Sequence, residues 1–411
     1  MFIANTDSLN EPKLTGINTV PPNFFRFVMS SVYNELSKQE QVFIGGVRLH
    51  KLNDKLSNAE TITNPNVGNT QNTHDDINYI HLTKNNHLYI ATDGGIDWSE
   101  DEGKTWRSLS QNSNLNTALL FGFDINEQGV MMTGTQDNGI FRFMNSTWHS
   151  LVYYGDGGRV VACNDSNDFF VSYGKQNYKL TQNGMMIDYE HAGEQTLWFD
   201  YRMGFHKKTK TFYLANKNLY KKTNESNFEL ITSQLKVDRD IKALWVNPDD
   251  NNEIWMAKDD ATWGAALVNK LFYSNDGGES WYDYTKNCPL LLWRSISDIH
   301  VNIDGIIALA IDGFDKENTE FNRILFSYDN GETFVNQSKG LSNFPVNCVL
   351  YANGKWFCGS NNGVYVLNIN NEWEPFETGF PVTVVSELKY FKRENALYVS
   401  TFGRSLWRYG F

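Results

Sequence analysis

The stretch Ser99-Glu-Asp101-Glu-Gly103-Lys-Thr105-Trp106 returns twice, as Ser274-Asn-Asp276-Gly-Gly278-Glu-Ser280-Trp281 and as Ser327-Tyr-Asp329-Asn-Gly331-Glu-Thr333-Phe334. All three obey S-x-D-x-G-x-[ST]-aromatic. The residue types are those of a hairpin turn. The Asp carboxylate can accept backbone N–H groups across the turn, and Gly supplies the positive φ that other residues resist. The Ser/Thr hydroxyls tie the flanking strands together, and the aromatic ring packs beneath. One such match is weak; three in register point to a repeated β unit in which these residues are structural.

The spacing sets the size of that unit. Asp101 and Asp276 lie 175 residues apart, and Asp276 and Asp329 lie 53 apart. A propeller blade of four strands takes about 40–50 residues, so the intervals read as four blades and as one blade with an insertion. Period-2 or β-branched runs start near Phe25, Ile77, Ala118, Val160, Leu197, Ile241, Ile296, Val346 and Val384. Each is followed by a second run, such as HLYIATDGG, EIWMAKDD or KWFCGSNNG. The expected fold is all-β: one propeller of four-stranded blades over 1–411, seven to nine blades, with nine repeats counted. Residues 1–23 form an N-terminal segment. Within it KLTGINTV (from Lys13) reads as an outer strand that closes the last blade, because TFGRSLWRYGF leaves no fourth strand there.

The repeated turn is the Asp box of BNR-type repeats. Together with VFIGGVRLHKL (from Val42), THDDINYIHL, IATDGGIDWSEDEGKTW, GTQDNGIF, YGDGG and STFGRSLW, it resembles the superfamily of the sortilin ectodomain and the xyloglucanases. The closest resemblance is to propellers of type IX-secreted bacterial proteins. That resemblance implies a secreted or cell-surface protein and leaves the activity open, since receptors, adhesins and hydrolases share the scaffold. In one place the chain departs from it. Where the secreted proteins read H-x-D-x-H, this sequence has His74-Asp75-Asp76-Ile77-Asn78, which weakens a metal role needing both imidazoles.

Topology assigns motifs to faces. In a blade A-B-C-D the segment leading into strand A and the B–C turn share one face, and the C–D turn lies on the other. The Asp boxes are C–D turns, away from the usual ligand funnel. His74 and Asp76 lead into a strand A, while Asp93, and Gln136-Asp137-Asn138, sit in B–C turns. Asp156 leads into the strand A of the next blade. These residues are expected on one rim as a ligand-binding site, with Asp76, Asp93, Asp137 and Asp156 offering oxygens suited to calcium. The competing reading is that each Asp or Asn caps its own Gly-containing turn. Trp263, Phe314 and Phe321, in longer B–C insertions, offer aromatic contacts, and Arg404 is the cation of the final B–C turn.

Composition narrows the partner. Lys and Arg number 36 against 48 Asp and Glu, a net charge of −12, which disfavours nucleic acid. No apolar run approaches the roughly 18–20 residues of a membrane span. The start, MFIANTDSLNEPKLTG, lacks the pattern of a signal peptide, so the expectation is either no export by that route or a processed or truncated chain. Cys163, Cys288, Cys348 and Cys358 show no metal or redox spacing. Cys348 and Cys358 fall on neighbouring strands, where pairing is open. FFRFV (from Phe24) faintly resembles the start of sialidases, with Arg26, Arg159 and Arg404 as conceivable clamps, yet no Pro follows Arg26. The expected function is a non-enzymatic binding module that recognises glycan or protein through its strand-A face, alone or in a larger assembly. The alternatives are a sialidase- or xyloglucanase-like glycoside hydrolase and a structural subunit of a surface or virion assembly.

Overall fold

The computed structural model describes residues 2–5, 13–16, 28–34, 39–52, 59–63, 73–83, 85–109, 115–152, 155–163, 168–174, 176–181, 186–189, 202–223, 227–233, 235, 240–250, 252–260, 268–289, 294–314, 322–376 and 379–411. The chain divides into two compact units, 1–118 and 119–411. The first holds a two-stranded hairpin and two four-stranded antiparallel sheets, whose first strands are Val28–Asn34 and Ile77–Leu82. The second holds seven antiparallel sheets in which sequence neighbours pair, six of four strands and a last one of three.

The inner strands of these seven blades are Leu120–Ile125, Gly157–Ala162, Arg202–His206, Ile241–Val246, Ile296–Val301, Val346–Ala352 and Val384–Phe391. Each packs against the inner strand of the next, and that of blade seven packs back against that of blade one. This cyclic order makes residues 119–411 a seven-bladed propeller. Apart from the hairpin, nine sheets among the described residues match the nine repeats counted, and five of them begin at Ile77, Ile241, Ile296, Val346 and Val384 as expected.

The expected closing strand is corrected. Lys13–Gly16 pairs with Phe2–Asn5 as a local hairpin, and blade seven keeps three strands. Pairing across a short connection orders far less chain than pairing with a distant edge. The remainder of KLTGINTV lies outside the described residues.

The repeated turns sit between the third and fourth strands of their sheets, and their bonding is the same in all three. In the blade-four copy, Asp276 Oδ1 accepts the Ser274 hydroxyl at 2.8 Å and the Ser280 amide at 2.9 Å, while Oδ2 accepts the Ser280 hydroxyl at 2.5 Å. The Gly278 amide closes the turn on Ser274 Oγ at 2.9 Å, with Gly278 at φ 91°. The turn also faces the preceding blade. Trp281 donates its indole N–H to the Ile231 carbonyl at 2.8 Å, and a Cβ at Gly278 would meet Ile231 at 2.5 Å. Gly331 lies likewise against Trp255 and Tyr284 of blade four. Each turn therefore seals a seam as well as a hairpin.

These hydrogen bonds hold the Asp carboxyls below their usual range: the Ser280 hydroxyl and amide lower Asp276, and the Thr333 groups lower Asp329. A carboxyl lowered in the folded state contributes stability above the unfolded value near 3.8, and this is lost as pH falls through the folded value. Asp276→Ala is expected to lower the urea-unfolding free energy by about 1–2 kcal/mol at pH 7, small because the group faces solvent. The difference from wild type should shrink on acidification below about pH 4. An undiminished difference at a pH of about 2.5 would count against the hydrogen-bond account.

Between blades the core is apolar. Trp255 and Leu271 of blade four pack with Ile299, Leu309, Leu325 and Phe334 of blade five in one cluster. Blades one and two share an apolar cluster as well, Met132 and Ile140 with Val160 and Phe169, and in addition meet through glycine. A Cβ on Gly134 would stand 2.1 Å from the Gly158 carbonyl oxygen, and one on Gly157 would stand 2.3 Å from the Gly139 carbonyl oxygen. Here backbone touches backbone. All four cysteines are buried free thiols. Cys348 pairs with Gly359 and Cys358 with Val349, so the two sulfurs point to opposite faces of their sheet, and burial raises both thiols well above the usual value.

Candidate functional site: the channel of residues 119–411

The inner strands share a local irregularity that organises the channel. Their pairing with the second strand slips at Leu120/Gly122, Gly157/Val160, Ile241/Ala243, Ile296/Asp298, Val346/Cys348 and Val385/Glu387, and only blade three runs without a slip. Such bulges re-aim side chains and leave amides to be satisfied by other partners. Acidic side chains of neighbouring blades fill that need. Asp124 accepts its own next amide, Ile125, at 2.9 Å and the Ala162 amide of blade two at 2.9 Å. Asp298 does the same with Ile299 at 3.0 Å and with Val349 of blade six at 3.0 Å. Glu387 of blade seven accepts the Phe123 amide of blade one at 2.7 Å and the Arg159 guanidinium of blade two at 2.6 Å. Lys389 Nζ stands 3.4 Å from Asp124.

These groups surround a cavity of about 140 Å³ whose wall includes Arg159, Arg202, Asp298, Asn347, Glu387 and Lys389. Water reaches it: the side chains of Arg159 and Lys389 are 24% and 33% exposed. Burial pushes the Asp298 carboxyl up to about 6, although the Val349 and Ile299 amides pull it down. Burial would lower Lys389, but the Asp124 and Glu387 carboxylates outweigh it and raise the ammonium. His300, on the same inner strand as Asp298, is pushed down to about 4 by burial and then by Lys389.

The residues expected from sequence fall as follows. In 1–118, His74 and Asp76 lead into Ile77–Leu82 and Asp93 lies in the turn after Leu88–Thr92. Asn78, standing where the resembling proteins carry a second His, is the bulge residue. Its amide donates to Asp93 Oδ1 at 2.6 Å and to the Asp76 carbonyl at 3.1 Å. His74 lies against Gly94 and bonds the Asp75 carbonyl through Nδ1 at 2.9 Å. In 119–411, Gln136, Asp137 and Asn138 form the B–C turn of blade one. The Asp137 amide donates to Asp156 Oδ1 at 3.0 Å, and Gln136 Nε2 approaches Asp137 Oδ2 at 3.3 Å. Asn138 bonds the Gln136 carbonyl at 3.0 Å. Arg404 is exposed, its amide held by Thr401 and its carbonyl by Trp407. Trp263 and Phe321 lie outside the described residues.

Sequence reasoning does not single out Arg202, Asp298, Asn347, Glu387 or Lys389, and of the channel wall it points only to Arg159. The available signal is positional: a charged residue near the slip of several inner strands, one blade length apart.

A second feature lies on the B–C side of the propeller. Phe314, in the B–C loop of blade five, is 60% exposed and meets Phe344, in the loop leading into blade six, edge to face at 5.9 Å. Arg323 anchors this corner from below. It is fully buried, donates to Asn343 Oδ1 beside Phe344, and is pushed down to about 10 by burial and then by Arg294.

Comparison with solved structures follows from this geometry. Virginiamycin B lyase from Staphylococcus aureus is similar at TM-score 0.54 and 11% identity, over 72% of this chain and 95% of its own. A GH74 enzyme from Niastella koreensis is similar at TM-score 0.38 and 16% identity, over 90% and 70%. The extracellular domain of a hybrid two-component system from B. thetaiotaomicron is similar at 0.37 and 9%, over 93% and 64%. The likeness is one of fold. No protein-family model and no curated protein matches the sequence. Among the described residues no helix is long and apolar enough to cross a membrane.

Proposed function

We propose that the chain is a non-enzymatic binding module of the Asp-box superfamily, secreted or displayed at a cell surface. It recognises a glycan or protein partner through the B–C side of residues 119–411. The observation that supports this most is the Phe314–Phe344 pair: two exposed aromatic rings in mutual contact, set on loops whose base is pinned by buried Arg323. Exposed aromatics on a rigid scaffold give large contact area at low entropic cost, to a sugar ring or a protein surface alike. The hydrolase alternative asks for a carboxylate pair available for acid–base work. In the channel Asp124, Asp298 and Glu387 are already engaged by backbone amides across the blade seams, which favours binding over catalysis.

The test is a panel of immobilised glycans and surface proteins probed with wild type and with Phe314→Ser/Phe344→Ser. Every genuine partner should lose about tenfold or more in affinity in the double variant, at a melting temperature close to wild type. Partners retained at full strength would overturn the assignment of this face.

A further inference from the structure

We infer that the outer edge of blade seven takes up an extended segment of a partner polypeptide as its fourth strand, away from the aromatic corner on the B–C side. Blade seven has three strands where the other six blades have four, and Leu406–Gly410 is its outermost. Among the described residues no strand pairs with its outer side.

The backbone there is turned outward. The Thr401 amide donates to the Ser405 carbonyl at 3.1 Å, and the Phe411 amide donates to the Asn395 carbonyl at 2.9 Å. Between these pairs the ladder matches Val399 with Trp407 and Leu397 with Tyr409. Bonded and unbonded pairs alternate in an antiparallel ladder, so Leu406, Arg408 and Gly410 point their amides and carbonyls away from the sheet. Such a row is a template for another strand.

Blade one shows what covers it. Its third strand contains Ile140-Phe141-Arg142-Phe143, which Leu406-Trp407-Arg408-Tyr409 matches residue for residue in chemical type. The turns before them share a bond as well. The Thr135 hydroxyl donates to the Gly139 carbonyl at 2.9 Å, and the Thr401 hydroxyl donates to the Ser405 carbonyl at 2.7 Å. In blade one this strand is covered by Thr147–Val152, with Met144 opposite Thr147 and Arg142 opposite His149. Asn145 and Ser146, both at positive φ, form the two-residue hairpin turn, so Met144–Thr147 and Arg142–His149 are bonded pairs. Arg142 thus turns its backbone outward as Arg408 does, and finds a strand there.

The same template gives the chemistry of the occupant. Trp148 lies against Phe143 at 5.3 Å, and the counterpart of Phe143 is Tyr409. Tyr409 already lines an aromatic surface with Phe376 and Phe411, at 4.8 and 5.3 Å, and Phe411 is 39% exposed. The incoming segment therefore runs antiparallel to Leu406–Gly410 and sets an aromatic or large aliphatic residue beside Tyr409. A second copy of this edge fits poorly. The two-fold register that engages all three outward residues places Arg408 opposite Arg408, and like charges directly opposed are unfavourable.

The probe is the hexapeptide Thr-Trp-His-Ser-Leu-Val, blocked at both ends, titrated into the full chain by fluorescence anisotropy and hydrogen exchange. It should bind saturably at one site per chain and slow exchange over Leu406–Gly410. N-methylation of the peptide's His amide, which faces the edge, should weaken binding about tenfold or more, and N-methylation of its Trp amide, which faces away, should not. Arg408→Pro removes an outward amide without breaking the ladder and should weaken binding as much. If that variant does not unfold cooperatively, Leu406→Pro serves in its place. Absence of saturable binding overturns the inference, as does equal binding of the two methylated peptides or undiminished binding by a folded proline variant. A chain that dimerises by itself in sedimentation, with exchange over Leu406–Gly410 slowed as it does so, assigns the edge to a second copy and overturns it too.

Discussion

Gly134→Ala is expected to destabilise residues 119–411 by about 3 kcal/mol or more, or to prevent folding, although it adds a single methyl group. The added carbon would stand 2.1 Å from the Gly158 carbonyl oxygen and 2.5 Å from the Gly157 carbonyl carbon. Both neighbours are backbone of the next blade's inner strand, so no side chain can rotate away. The strands must separate, and with them the seam between blades one and two. A glycine of another kind provides the control. Gly174 has φ 56°, and a methyl group placed on it would have nothing within 4 Å. Gly174→Ala should therefore cost only about 1–2 kcal/mol, from backbone conformation alone. Urea denaturation of both variants separates close approach from conformation. A Gly134→Ala protein no less stable than Gly174→Ala would refute backbone contact at this seam.

Glu387→Ala should cost about 2–3 kcal/mol, because it removes a carboxylate from the half-buried Arg159 and leaves the Phe123 amide without its acceptor. Glu387→Gln retains an oxygen for Phe123 and removes only the charge, so it should cost less. Adding Arg159→Met to Glu387→Ala should recover part of the loss, since a half-buried guanidinium deprived of its carboxylate costs more than an apolar side chain there. Additive losses in this double-mutant cycle would show that the two side chains do not form a pair.

The legible part of the fold is its punctuation. Ser274, Asp276, Gly278 and Trp281 each have a role in a turn that local chemistry dictates, and three copies in register reveal the blade period. Strand starts such as Ile241 and Val346 follow from alternation between turn residues. The ring is harder to read. That seven sheets close among themselves shows in contacts of long sequence separation, Phe123 with Glu387 and Tyr398, Phe121 with Phe402, which no local pattern encodes. The hairpin of Phe2–Asn5 with Lys13–Gly16 escapes a reading of sequence because any short β-prone segment can serve as a closing strand until its partner is seen.

The polar positions divide in the same way. Asp137 and Asp156 lie together through the Asp137 amide donating to Asp156, a bond that also holds the turn. In GTQDNG and YGDGG the acids draw the eye, whereas Gly134 and Gly157 carry the contact between blades. Asp298 and Glu387 look in sequence like outward residues of an alternating strand. Only the slip in pairing turns them toward a neighbour.

Closure through contacts between the first and last blades rather than an exchanged strand bears on how the ring assembles. The Glu387–Phe123 contact spans 264 residues, and chain connectivity makes such a contact among the last to form. Interactions absent from the folding transition state leave folding speed nearly unchanged and appear almost wholly in the rate of opening. The seam between blades seven and one is then a latch: weakening it should shorten the lifetime of the ring, with stopped-flow unfolding accelerated and refolding nearly untouched. Glu387 is then one of several parts of that latch, beside the apolar contact of Phe123 and Met131 with Phe391 and Tyr398.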